Sequence, residues 1–147
     1  MLDQSINIAF MIREIYTTLY NNIGKEFSKL ELTVPQVFVM DLLYRHKKLK
    51  VNEISSEVNL TNATVSGILD RLEKQHMITR TRGKKDKRVV YIELTEHGNE
   101  LAESFKVLIN NYFTSLFEDC TIEDMKNIIT NLSLLKDIIN KQGGQQI

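Results

Sequence analysis

Apolar residues recur at Ile8, Ile12, Ile15, Leu19, Ile23, Phe27 and Leu30, in steps of three and four. That spacing predicts one apolar stripe on a long helix over residues 4–30, with Gly24 lowering its helix propensity. Thr33-Val34-Pro35-Gln36 then has the T-x-x-Q form of a capping box, with proline in the first turn. Phe38, Val39, Leu42 and Leu43 give the second helix one apolar face. It is expected to end in the basic stretch 45–50, where cations suit a helix C-terminus. Residues 52–58 predict a short third helix with Ile54 and Val58 inward. Asn59 and Leu60 make a turn, and Thr61 caps a fourth helix with Val65, Ile68, Leu69 and Leu72 on its inner face. Two short helices joined by a tight turn are the sequence form of a helix-turn-helix.

The period then changes from 3.6 to 2. Residues 77–82 and 89–94 read as strands, the second placing Val90, Ile92 and Leu94 on one face. The loop between them opens with Gly83 and continues Lys84-Lys85-Asp86-Lys87. Thr95 caps a fifth helix bearing Leu101, Phe105, Leu108, Tyr112 and Leu116. Thr121 caps a sixth, with Ile122, Met125, Ile128, Ile129, Leu132, Leu135, Ile138 and Ile139 at helical spacing and Glu123 and Asp124 in its first turn. The tail from Lys141 is expected to fray. The predicted fold is mainly α with a small β-hairpin, a winged helix-turn-helix carried by helices from both ends of the chain.

Composition narrows the class. The 147 residues are 42% hydrophobic and 26% charged, as in a globular domain. One cysteine forms no intrachain disulfide. The longest apolar run, Ile8 to Ile12, is far short of the roughly 20 residues of a membrane span. The N-terminal segment has an acid and no basic cluster, unlike a signal peptide. A soluble, cytoplasmic protein without membrane partners is the expectation.

Net charge is zero, but the charge is segregated. Residues 1–32 carry 3 basic and 4 acidic side chains, residues 33–95 carry 12 and 7, and residues 96–147 carry 4 and 8. Most of the basic excess lies in residues 80–88, with six basic residues and one acid, at the predicted hairpin tip. A concentrated basic stretch in a neutral chain is either a solvated loop or an electrostatic contact surface.

The fourth helix favours the second reading. Its outer face begins with Asn62, Ala63, Ser66 and Gly67, small or short and uncharged, so it can approach a surface closely, and Asn and Ser can bond to base edges. Thr61, Thr64 and the helix-start N–H groups suit phosphate oxygens, and Arg71 reaches further along. In the hairpin, Arg82, Lys84, Lys85, Lys87 and Arg88 suit a DNA backbone or narrow minor groove. Asp86, two residues before Arg88, can hold the guanidinium in one pose. Other chemistry is poorly served. There is no P-loop, H-E-x-x-H, G-x-S-x-G or G-x-G-x-x-G motif, so neither an enzyme nor a cofactor is expected. His46, His76 and His97 are scattered, giving no metal site. Cys120 lies beside Glu118 and Asp119 at a helix end, a setting that disfavours a reactive thiolate.

In order and spacing, these segments resemble the MarR (multiple antibiotic resistance regulator) family of transcriptional regulators. The resemblance rests on Thr33-Val34-Pro35-Gln36, Val51-Asn52-Glu53-Ile54, Ala63-Thr64-Val65-Ser66 and Asp70-Arg71-Leu72-Glu73-Lys74. It rests most on Asp86-Lys87-Arg88, matching D-x-R, and Leu94-Thr95-Glu96-His97-Gly98, matching L-T-x-x-G. It covers essentially the whole chain. It implies a homodimer bound to a pseudo-palindromic operator in double-stranded DNA. The fourth helix would lie in the major groove, and Arg88, oriented by Asp86, in the minor groove. It implies dimerisation segments at 1–32 and 96–147 around a DNA-binding domain at 33–95. It also implies a repressor, relieved by a small lipophilic or phenolic effector.

The apolar stripes fit that expectation, because the terminal helices carry more apolar surface than one copy can cover. Ile8, Ile12, Ile128, Leu132, Leu135 and Ile139 are the dimer-interface candidates. Phe10, Met11, Tyr16, Phe38, Met40 and Tyr44 are candidates either for core or for a pocket between the first, second and fifth helices. The alternative is a winged-helix module that binds protein and has no DNA specificity.

Overall fold

A computed structural model describes residues 2–84 and 86–143. The elements are α1 (Leu2–Ser28), α2 (Val34–His46), β1 (Lys48–Leu49), α3 (Val51–Val58), α4 (Asn62–Lys74), β2 (Ile78–Arg82), β3 (Val90–Leu94), α5 (Glu96–Leu116) and α6 (Ile122–Gly143). The chain divides into two compact units, Met1–Ile109 and Asn110–Ile147, with the boundary inside α5.

The first unit is organised around α2. Its start is the capping box the sequence predicts: Gln36 Oε1 accepts from Thr33 N–H at 2.8 Å, and Pro35 sits in the first turn, where its missing N–H costs nothing. Val34, Val37, Val39, Met40, Leu42 and Leu43 are all buried, so α2 is enclosed on more than the single face its spacing suggested. Around it pack Ile54 of α3, Val65, Leu69 and Leu72 of α4, Ile78 of β2, and Ile92 and Leu94 of β3. Phe27 closes the core at the end of α1, meeting Phe105 of α5 edge-on at 5.3 Å between ring centres. Burying side chains of this size contributes about 1.5–3 kcal/mol each.

The sheet has three antiparallel strands in the order β1-β3-β2, where two were expected. Residues 45–50 do not simply end the helix. Lys47 turns the chain at φ 67, and Lys48 and Leu49 then pair with Glu93 and Ile92. A two-residue strand has no alternation to read, so its partner β3 defines it. Between β2 and β3 the register runs from Ile78↔Leu94 to Arg82↔Val90. Val90 lies at the far end of that ladder and is exposed, whereas Ile92 and Leu94 are buried as expected.

Thr95 caps α5 by accepting the Gly98 N–H at 3.0 Å, while its own N–H donates to Met77 O at 3.0 Å. A Cβ at position 98 would overlap that same Met77 carbonyl oxygen. The L-T-x-x-G sequence is therefore a docking joint, with threonine bonding the end of the α4–β2 turn and glycine letting it approach.

In the second unit, Thr121 and Asp124 cap α6 reciprocally. Thr121 N–H donates to Asp124 Oδ2 at 3.0 Å, and Asp124 N–H donates to Thr121 Oγ1 at 3.1 Å. The Thr121 hydroxyl, donating to Asp124 Oδ2 at 2.6 Å, and then the Thr121 N–H hold the Asp124 carboxyl pKa below its usual range. The helix continues past Lys141, where fraying was expected, as far as Gly143. The rest of that tail lies outside the described residues.

Candidate nucleic-acid interface

The turn between α3 and α4 is set by Asn59 at φ 53, a left-handed conformation that asparagine tolerates. Leu60 N–H returns to Ser55 O at 3.1 Å. Thr61 then caps α4, accepting from Thr64 N–H at 3.2 Å, and the two hydroxyls are 2.9 Å apart. Val65, Leu69 and Leu72 fix the inner face with no exposed surface. Thr61, Ala63, Thr64, Gly67 and Arg71 are left exposed, and Ser66 is half-buried. Gly67 has no internal reason to be glycine, since an added Cβ would touch nothing within 4 Å.

Asn62, a base-edge candidate, is exposed, and its amide oxygen lies 2.5 Å from the Ser55 hydroxyl of α3. Ser55 also bonds the Val51 carbonyl at 2.8 Å and has a single proton to give. Asn62 thus ties the two helices of the motif together.

The hairpin loop is closed by backbone bonds. Gly83 N–H donates to Val89 O at 2.8 Å, and Val89 N–H donates to Asp86 O at 3.2 Å. A Cβ on Gly83 would come within 2.7 Å of Asp86 O, so close approach explains this glycine. Asp86 Oδ1 accepts from both the main-chain N–H of Arg88 (2.9 Å) and its Nε (3.3 Å). The guanidinium end is then presented to solvent, with the Arg88 side chain 93% exposed. Arg82, Lys84 and Lys87 are exposed nearby in sequence. Lys85 lies outside the described residues.

Arg80 belongs elsewhere. It stands in the basic run 80–88, but its guanidinium pairs with Asp70 at 2.6 Å and Glu73 at 3.4 Å. It joins β2 to α4, which leaves one fewer unpaired cation in the basic run. The i, i+3 spacing of two acids on α4 was the available signal. On the other face of the sheet, Lys48 pairs with Glu93 at 2.5 Å, Thr81 donates to Glu93 at 2.9 Å, and the Lys48 and Lys50 ammoniums lie over the Tyr91 ring. The Lys48 and Thr81 bonds lower the Glu93 pKa.

The remaining candidates separate. Met40 is 0% exposed and belongs to the core, so it cannot line an open pocket. Phe10, Met11, Tyr16 and Phe38 are exposed. Tyr44 is half-buried, with the Lys47 and Lys106 ammoniums 4.4 and 4.3 Å from its ring centre. Ile8 and Ile12 are exposed on α1. On α6, Leu132 and Ile139 are exposed, and Ile128 and Leu135 are half-buried. Cys120 is a half-buried free thiol. Among the described residues, no cluster of three His, Cys, Asp or Glu could hold a metal, and no helix is long and apolar enough to cross a membrane.

Comparison with known proteins decides the family. The sequence model of the MarR family matches residues 32–90, the stretch from the end of the α1–α2 turn to the start of β3. The chain belongs to the MarR family of transcriptional regulators. It is 30% identical to the Bacillus subtilis regulator YwhA over 111 residues, 71% of this chain and 80% of YwhA. The B. subtilis transcriptional repressor MdtR is 28% identical over 117 residues, 77% of this chain and 76% of MdtR. Some curated relatives are matched over only about half of their own length, 48% for a B. subtilis regulator 36% identical over 76 residues. Among solved structures, the Staphylococcus aureus MepR F27L mutant bound to an oligodeoxyribonucleotide superposes with a TM-score of 0.67 at 25% identity. That match covers 90% of this chain and 97% of MepR. The MarR relatives are regulators and not enzymes, in agreement with the missing catalytic motifs.

Proposed function

We propose that this MarR-family chain is a homodimeric, sequence-specific repressor that binds a pseudo-palindromic operator in double-stranded DNA, in the cytoplasm. The observation that carries the reading is Arg88, exposed at the hairpin tip and held by Asp86. A pre-oriented guanidinium loses little entropy on entering a narrow minor groove. The small, neutral face of α4, from Ala63 to Gly67, enters the major groove, with Thr61, Thr64 and Arg71 on phosphates. Residues 33–95 form the DNA-binding domain, and residues 1–32 and 96–147 supply the dimer contacts.

Support for the dimer comes from α1, where every residue from Asp3 to Thr18 is exposed, including five bulky apolar side chains from Ile8 to Ile15. MepR bound to an oligodeoxyribonucleotide and the named repressor MdtR support DNA binding and repression. A small lipophilic or phenolic effector that relieves repression would contact the exposed aromatic residues Phe10, Tyr16 and Phe38, with Met11 and Tyr44.

Salt dependence tests this reading against a protein-binding winged helix. Duplex affinity is expected to fall linearly in log–log form as salt rises, with Lys84→Ala lowering the slope by about 1. Binding that ignores both salt and DNA would favour the protein-binding module.

A further inference from the structure

The C-terminal end of α4 is held from two sides. On one side, the buried Gln36 side chain (4% exposed) donates from Nε2 to Gln75 Oε1 at 3.3 Å, and Gln75 Nε2 donates to the Glu31 carbonyl at 3.2 Å. Gln36 Oε1 is already taken by Thr33, so the chain of bonds runs in one direction. Glu31 sits at φ 57 in the corner between α1 and α2. On the other side, Thr95 at the start of α5 bonds the His76 and Met77 carbonyls at 2.8 and 3.2 Å, and Gly98 lies against Met77. Residues 75–77 therefore join the recognition helix to the end of α1 and the beginning of α5. Those are the two long helices that leave the winged region. Local packing does not require this, because Val65, Leu69 and Leu72 already seat α4.

We propose that Gln75 is a positioning residue that fixes the angle of each recognition helix relative to its long helices. It thereby sets the spacing between operator half-sites that the dimer accepts. The proposal rests on the dimeric DNA-binding reading above. A two-fold dimer reads half-sites about one DNA turn apart only if both recognition helices are held at a fixed separation. A slack joint lets each winged region turn on its long helices, and spacing discrimination weakens while base contacts persist.

Gln75→Glu is the chosen variant. It keeps an acceptor for Gln36 and removes the donor to Glu31. Gln75→Leu, which removes both bonds, is the second variant. Each is compared with wild type in selection from random duplex DNA, with affinity for an isolated half-site and the thermal midpoint measured in parallel. The expected result is one half-site sequence shared by all three proteins, and a single spacing for wild type. For Gln75→Glu, discrimination against neighbouring spacings should fall by about tenfold, with half-site affinity and midpoint unchanged. Gln75→Leu should show the same relaxation even if its midpoint drops. An unchanged spacing profile in both variants overturns the proposal, and so does loss of the half-site sequence itself. If wild type enriches no repeat, the dimeric DNA reading falls and takes this inference with it.

Discussion

The winged region and the first two-thirds of α1 use the same residue types in opposite ways. From Phe27 to Phe105 the chain closes its own core, and Val39, Met40, Leu43, Ile54, Val65, Leu69, Leu72 and Ile92 have no exposed surface. From Asp3 to Thr18 the helical spacing is equally regular, yet every residue is exposed. Periodicity fixes the face on which apolar residues lie. It does not fix what covers them. The first region folds against itself, whereas the second leaves its bulky apolar side chains exposed.

Two substitutions separate the regions most sharply. Leu69→Ala removes a fully buried side chain and should destabilise the fold by about 2–5 kcal/mol in denaturant titration. Ile12→Asp should leave the fold of a single chain intact and shift sedimentation from dimer to a 17.1 kDa monomer. If Ile12→Asp unfolded the chain with no monomer seen, the contrast between the regions would be wrong. Gly98→Ala comes next. Its methyl would overlap the Met77 carbonyl, so the joint must shift, with an expected loss of about 1–3 kcal/mol in thermal melts.

The smallest effect concerns the outer face of the sheet. Glu93 has its pKa lowered from 4.5 by its bonds to Lys48 and Thr81. A carboxyl whose folded pKa is depressed adds stability above the unfolded value and loses it as pH falls through the folded one. Wild type should therefore lose slightly more stability than Glu93→Gln below about pH 4.5. The difference should be a few tenths of a kcal/mol, because the pair is partly solvated and screened. Parallel pH profiles for the two proteins would remove Glu93 as a contributor.

The helix-turn-helix, the α2 capping box, the α6 cap and the hairpin were legible because each is written in neighbouring residues: Thr33 with Gln36, Asn59 in the turn, Thr121 before α6, Asp86 with Arg88. What the sequence concealed depends on partners distant along the chain. β1 exists because β3 lies beside it. Arg80 counts in the basic run, yet its guanidinium is paired with Asp70 and Glu73. The contact of the Asn62 amide oxygen with Ser55 was not legible either. Gln75 gave no signal, since its partners Gln36 and Glu31 are 39 and 44 positions away. Met40, offered either to the core or to a pocket, lies in the core, because α2 is surrounded where spacing alone shows one face.

The proposed function has this MarR-family protein read DNA as a dimer through α4 and the Arg88 wing. Selection of bound duplexes from a random pool tests it most directly, with wild type and Arg88→Ala side by side at physiological salt. The expected result is an inverted repeat with half-sites about 10 bp apart, enriched by wild type and bound by Arg88→Ala about 1–3 kcal/mol more weakly, at equal dimer content and stability. No enriched repeat, or equal enrichment by the two proteins, would contradict it.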